Sequence, residues 1–378
     1  MLRFAVAPTG FKECLDAEAV AEAIGTGIRR VVPGALIDTA PLIDGGEGSA
    51  RQLARSTGGE LVPVEVTGPV GDPVRSHFAL LGPRTAFVEL AAAAGLSLVP
   101  ADRRDPGRTT SRGVGELVAA ALDAGAEKII IGCGDSGICD GGAGALRALG
   151  ARVLDASGDE LPEGGAALSR TRRIDTRDLD ARIRGVDLVL ATNPRNLLDS
   201  VARVFGPQKG ATAEQVEELS AAMRVWGDVL RRHSGTRFGR LPGSGASGGL
   251  GAGLAGVLGA SLRSRFDVLL DAADVERRLA AADLVITGEG AIDASTALGK
   301  IPAEVARLAK RHGKPVVAIA GTIGAGADTS YDTGIDAIAG ILTGPVDLAD
   351  AISRAPELIA AATARTLRML LLGRALAA

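Results

Sequence analysis

Short apolar runs in this sequence end repeatedly at a polar, glycine-rich turn, and a helical pattern follows each turn. "LRFAVAP" (2–8) opens into Thr9-Gly10-Phe11-Lys12 and then "DAEAVAEAIGTGIRRVV" (16–32). That helical stretch has acids at its start and arginines at its end, as the helix dipole favours. "ALIDTAPLI" (35–43) opens into Asp44-Gly45-Gly46-Glu47-Gly48, with a helix expected from Ser49. "EKIIIGCG" (127–134) opens into a loop carrying Asp135 and Asp140, and "DLVITGEG" (283–290) opens into Glu289 and Asp293. The helix after it, "IPAEVARLAKRHG" (301–313), has Pro302 in its first turn and Gly313 past its end. Strand, turn and helix in alternation predict an α/β fold, an open parallel sheet covered on both faces.

The rhythm is regular at the two ends of the chain and irregular between them. Five β-rich runs at the ends alternate with helices: 2–8, 35–43, 283–290, "KPVVAIAGTI" and "IDAIAGIL". In the middle, "TAFVEL" (85–90), "EKIIIGCG" and "VDLVLATN" (186–193) are separated by long Pro- and Gly-rich stretches. A chain of 378 residues accommodates roughly two domains. The pattern predicts a discontinuous first α/β domain, 1–60 plus 265–378, with a second α/β domain, 61–264, inserted into it.

Charge and cysteine usage narrow the partners. The 42 basic and 45 acidic residues give a net charge of −3, and they are interspersed, which argues against nucleic acid or an anionic membrane. Cys14, Cys133 and Cys139 have neither zinc nor CxxC spacing and read as small packing residues of a protein in the reducing cytoplasm, with no signal peptide in view. "LPGSGASGGLGAGLAGVLGASL" (241–262) lacks charge, but about half of it is Gly, Ser and Pro, whereas a membrane span wants about 20 mainly large apolar residues. A glycine loop running into a small-residue helix is expected there.

In open parallel sheets ligands gather outside the carboxyl ends of the strands. Four strand exits here carry acids or a lysine, which points to a cleft where the two domains face each other. Glycines let backbone N–H groups approach an anion, and a following helix N-terminus adds partial positive charge. Gly45 and Gly46 are therefore candidates for holding phosphate, and so are Gly245 and Gly248 in "PGSGASGGLGAG". Carboxylates in such turns suit Mg²⁺, a hard cation that takes one or two of them and shares its shell with phosphate and water. Each acid alone also fits a turn or helix cap. Lys209 in "VFGPQKGAT" and Lys300 in "LGKIP" would add charge beside a phosphate. There is no Walker loop, no GxSxG elbow and no dinucleotide fingerprint in a strand–helix setting, so P-loop and NAD-linked chemistry are set aside. His233 and His312 sit near expected helix ends, and His77 stands apart from both.

Taken in order, "APTGFKECLDA", "IDGGEGSA", "TTSRGVGEL", "GDSGICDGG", "LATNPRNLL", "FGPQKGA", "PGSGASGG" and "ITGEGAIDASTALGKIP" resemble the motifs of the bacterial glycerate kinase family, almost end to end. The resemblance implies two α/β domains, one flavodoxin-like, with the active site between them. It implies ATP, Mg²⁺ and phosphoryl transfer to a hydroxyl of glycerate or a closely related small hydroxy acid. The chain departs from the family's pattern at Thr9-Gly10, Asp135, Ile138-Cys139, near Thr192, at Ala291 and at Ser295-Thr296. Asp135 replaces a glycine and Ala291 an arginine, the natural clamp for a carboxylate. A different hydroxylated acceptor, a polyol or cyclitol among them, and a degenerate nucleotide-binding protein without turnover stay open as alternatives.

On this reading the catalytic candidates are Lys12, Asp44, Asp135, Asp140 and Lys209. ATP falls to Gly45, Gly46, Lys209, Gly245, Gly248 and Lys300, and the metal to Glu47, Glu289 and Asp293. Asp135 and Asp140 compete for the role of base. A homodimer is the oligomeric state considered.

Overall fold

The computed structural model describes residues 1–11, 14–43, 45–272 and 274–377. Its strands, in chain order, are β1 (Arg3–Val6), β2 (Leu36–Thr39), β3 (Glu60–Thr67), β4 (Pro73–Leu80), β5 (Thr85–Glu89), β6 (Lys128–Gly132), β7 (Arg152–Leu154), β8 (Arg173–Asp175), β9 (Asp187–Thr192), β10 (Ser261–Ser264), β11 (Leu284–Ile292), β12 (Val316–Ile323) and β13 (Ala337–Gly340). The chain divides into two units, Met1–Asp44 with Leu269–Ala378, and Gly45–Val268. The sequence reading expected the joints at 60/61 and 264/265. The first lies earlier because the helix Ser49–Thr57 and β3 pack with β4 and β5 of the inserted unit.

The terminal unit holds one five-stranded sheet in the order β13-β12-β11-β1-β2, with every pair parallel. Counted by its own strands this is 2-1-3-4-5, the flavodoxin-like doubly wound order. Its core joins Phe4, Val6, Ile286, Val317 and Ile319 to Val20, Ile24 and Ile28 of the helix Ala17–Val31, and to Ile359 and Leu367 of the helix Ala355–Ala377. Each such side chain, fully buried, contributes about 1.5–3 kcal/mol. The helix Ala17–Val31 begins where Asp16 accepts the Ala19 N–H at 2.8 Å, and it ends on Arg29 and Arg30.

Strand order reverses at β1, the topological switch point. β1 pairs with β11 only as far as Ile286; beyond it the Thr9 N–H donates to the Gly288 carbonyl at 2.9 Å. β11 runs on to Ile292 alongside β12. Glu289 therefore stands just past the end of β1, in the crevice where this fold binds ligands.

The inserted unit has a six-stranded mixed sheet, β10-β9-β6-β5-β4-β3, with β5, β6, β9 and β10 parallel and β3 and β4 antiparallel. A separate antiparallel pair joins β7 and β8. Leu117, Ile129, Ile131, Ile138, Leu146, Trp226 and Leu250 belong to its core. The small-residue helix expected after residue 241 is present as Ala246–Leu258, with non-helical backbone at Ser247, Gly248 and Gly249. Among the described residues no helix is long and apolar enough to cross a membrane.

Candidate active site

In the inserted unit the turn Gly45–Gly48 lies against the exits of β5 and β6. The Gly134 N–H donates to the Gly45 carbonyl at 3.0 Å. The Glu47 N–H donates to Asp135 Oδ2 at 3.1 Å. The Gly48 and Ala50 N–H groups donate to Glu89 Oε1 and Oε2, each at 2.9 Å. Glu89 closes β5 and is 2% exposed. Burial pushes its carboxyl above the ordinary value; the Ala50 and Gly48 bonds oppose this, and the charges of Glu47 and Asp135 add to it. Glu47 and Asp135 themselves are exposed.

These bonds correct one expectation. Gly45 and Gly46 were read as a phosphate cradle at the start of the helix Ser49–Thr57. The N–H groups of Glu47, Gly48 and Ala50 are already taken by the chain's own carboxylates, which repel a second anion. The helix N-terminus has its anion, and that anion is Glu89.

Asp135 stands at φ +49°. A residue without glycine's freedom at positive φ costs about 1 kcal/mol, and it persists where contacts hold it. Here the Glu47 N–H holds Oδ2, and Oδ1 has no hydrogen-bond partner among the described residues.

Asp140 and Lys209 lie deeper than the sequence suggested. Asp140 is 0% exposed and accepts the Ser111 N–H at 2.8 Å, the Ser111 hydroxyl at 2.7 Å and the Gly142 and Gly144 N–H groups at 3.1 Å each. Burial raises its carboxyl and the four donors oppose the rise. Such an acid fixes a loop, and it is sealed from solvent where a base would need access. Lys209 is 3% exposed, and its Nζ donates to Ser136 Oγ at 2.9 Å and to the Ile138 carbonyl at 2.6 Å. Burial lowers its ammonium below the usual lysine value. Its expected contact with phosphate gives way to a tether on the loop that carries Asp135.

Gly245 and Gly248 have a packing explanation. A Cβ at Gly245 would lie 2.4 Å from the Leu197 carbonyl oxygen, and one at Gly248, where φ is +68°, 2.2 Å from that of Ile138. Close backbone approach by itself requires both glycines.

In the terminal unit a second cluster forms at the carboxyl end of β11, which carries Glu289. Lys300 Nζ lies 3.1 Å from Glu289 Oε1, 3.8 Å from Asp293 Oδ1 and 3.3 Å from the Ala291 carbonyl. Asp293 Oδ1 accepts the Ser295 N–H at 2.8 Å and also the Ser295 hydroxyl. Burial raises the Glu289 carboxyl against the pull of Lys300. The bonds from Ser295 lower Asp293, with help from Lys300. Glu289 and Asp293, expected at the metal, lie beside Lys300, expected at ATP, which precedes the helix Ile301–Arg311.

Lys12 and Asp44 lie outside the described residues. Burial pushes the Cys133 thiol up to about 12 and that of Cys139 to about 11, which favours the protonated form. Glu89 is the site residue that sequence reasoning missed. Its signal was a polar residue closing the apolar run "TAFVEL", the same strand-exit position that singled out the other acids.

Among the described residues no group of three or more His, Cys, Asp or Glu side chains is arranged to hold a metal ion. Mg²⁺ does not ask for one, since phosphate and water fill most of its shell. The excess negative charge around exposed Glu47 and Asp135 fits a divalent cation; the pair Glu289 and Asp293 already has Lys300.

Comparison with known proteins agrees over nearly the whole length. The pattern of the glycerate kinase family matches residues 4–371. The chain is 47% identical over 360 residues to the glycerate kinase of Bacillus subtilis (strain 168), covering 94% of each. It is 41% identical over 378 residues to the glycerate 2-kinase of Escherichia coli (strain K12), covering 97% of this chain and 99% of that one. A crystal structure from Salmonella typhimurium LT2, of a protein assigned as glycerate kinase 2, superposes with a TM-score of 0.86 at 43% identity over 99% of both chains.

Proposed function

The chain belongs to the glycerate kinase family, and from that premise we propose that it transfers the terminal phosphoryl group of ATP, with Mg²⁺, to the 2-hydroxyl of glycerate. The end-to-end match carries the reading, with "DGGEG", "FGPQKGA" and "ITGEG" all in place. The choice of hydroxyl rests on the relative named glycerate 2-kinase. No observation favours a different acceptor or a protein without turnover.

Phosphoryl transfer asks for positioning and charge neutralisation rather than covalent chemistry. Glu47, exposed in an uncompensated acid cluster, would hold the Mg²⁺, which supplies charge neutralisation at the phosphates. Asp135 is the base: it is accessible, one oxygen is pinned by the Glu47 N–H, and the other is free to take the hydroxyl proton. Lys300 offers its ammonium to phosphate oxygens, with Glu289 and Asp293 fixing where it stands. Lys209 and Asp140 act beneath the surface, anchoring the loop 134–142.

The three thiols are free, as suits the cytoplasm. Exposed Met369, Leu370 and Leu372 on the last helix are compatible with the homodimer, which analytical ultracentrifugation decides. The reaction is tested with purified protein, ATP, Mg²⁺ and glycerate, the product being read by ¹³C and ³¹P NMR. The reading expects phosphorus coupling to carbon 1 as well as to carbons 2 and 3; coupling to carbons 2 and 3 alone would refute the choice of hydroxyl, and no product would refute the activity.

A further inference from the structure

We infer that Glu89 is a positioning residue for the phosphoryl-transfer site, acting through the turn that carries Glu47. This rests on the function proposed above. The helix Ser49–Thr57 starts at Gly48, which has φ +86° and no side chain to cap the helix. Its opening N–H groups are satisfied instead by Glu89, 41 residues further along the chain, at the end of a core strand. A serine or aspartate at the cap position would satisfy a helix end without burying a charge. Burying a carboxylate is costly unless it is paired or fully bonded, and this one stands near two further acids.

What that cost achieves is placement. Glu89 and Gly132 are register partners on neighbouring parallel strands β5 and β6. One strand grips the turn just after Glu47, at Gly48 and Ala50; the exit of the other grips Glu47 itself through Asp135. Between the grips the turn lies directly on the β6 exit, where a Cβ on Gly134 would lie 2.4 Å from Gly46 Cα. Glu47 and Asp135 are thus referenced to the two central strands of the sheet rather than left on a free loop. Small displacements of such groups are expensive: an error of about 1 Å costs on the order of 100-fold in rate.

The test is Glu89→Gln, which keeps size and one acceptor but removes the charge and one N–H bond. Wild type and variant are assayed side by side for ATP-dependent phosphorylation of glycerate, and Mn²⁺ binding is read by electron paramagnetic resonance without substrates. We expect kcat to fall about 10- to 100-fold, KM for ATP and glycerate to stay within about threefold, and Mn²⁺ to bind about tenfold more weakly, as losses behind a metal ligand do. Glu89→Asp, with the charge kept and the reach shortened, should fall between the two proteins, and it carries the test if the Gln variant is insoluble. Wild-type kcat and Mn²⁺ affinity in a soluble variant would overturn the inference, as would a change confined to melting temperature. A wild type inactive on glycerate refutes the proposed function instead, and the Mn²⁺ measurement then still decides the role of Glu89.

Discussion

In the inserted unit Glu47, Glu89 and Asp135 are linked through backbone N–H groups, whereas in the terminal unit Glu289 and Asp293 are held by Lys300 and hydroxyl side chains. Both clusters occupy the same place in the local fold, the exit of parallel strands into a glycine-containing turn. Their charge differs. In the first, burial pushes Glu89 up, and the charges of Glu47 and Asp135 add to the rise. In the second, one acid is pushed up by burial while the other is drawn down by its bonds. On the proposed function the first sheet edge would take the cation, and Lys300 of the second would face a phosphate oxygen. A kinase needs both, because its donor is a polyanion that travels with a cation.

The comparison breaks first at Glu47. Glu47→Gln should lower kcat roughly a thousandfold, the several kcal/mol that a metal contributes to transition-state charge. A loss under tenfold in steady-state assays would place the metal elsewhere. Lys300→Met should act next: it removes the cation from Glu289 and Asp293, and kcat/KM for ATP should fall about 10- to 100-fold with a small change in stability, since partly exposed ion pairs contribute only about 0–1 kcal/mol. If Lys300→Met instead left ATP kinetics unchanged, the second cluster would be structural.

The pH dependence of stability sharpens the contrast, measured by denaturant unfolding with EDTA present. The Glu89 carboxyl is raised on folding, so its contribution is full below the ordinary glutamate value and is lost as pH rises through the raised one. The advantage of wild type over Glu89→Gln should therefore shrink as pH rises from about 4.5. Asp293 is lowered on folding, so its contribution is present above the ordinary aspartate value and is lost as pH falls through the lowered one. The advantage of wild type over Asp293→Asn should shrink as pH falls below about 4. Slopes of the same sign would erase the distinction between the clusters. The smallest effect on stability belongs to Asp135→Gly, which relieves positive-φ strain and loses the bond from Glu47, two opposed contributions of about 1 kcal/mol each. Its unfolding midpoint should barely move.

The terminal unit was legible because its five strands are compact apolar runs, and each one stops at Gly, Pro or an acid. β3 and β4 escaped notice because Pro63, Glu65, Arg75 and His77 interrupt their apolar pattern; they form the antiparallel edge of their sheet. That oversight moved the first joint, since β3 draws the preceding helix into the inserted unit. Strand-exit logic singled out Glu47, Asp135, Glu289 and Asp293, and the start of a helix singled out Lys300. It could not tell an acid facing solvent from one facing inward. Asp140 and Asp135 read alike in the sequence, five residues apart, yet one is sealed by four donors and the other is open. Lys209 likewise looked like any lysine in a Pro/Gly turn until the loop it tethers was visible.

The most direct test is ADP release by the wild-type protein as ATP, Mg²⁺ and glycerate are withheld one at a time. The account predicts turnover on the order of 1–100 s⁻¹ with all three present, collapsing to background when any one is absent. ADP release that persists without glycerate, or that ignores Mg²⁺, would contradict it.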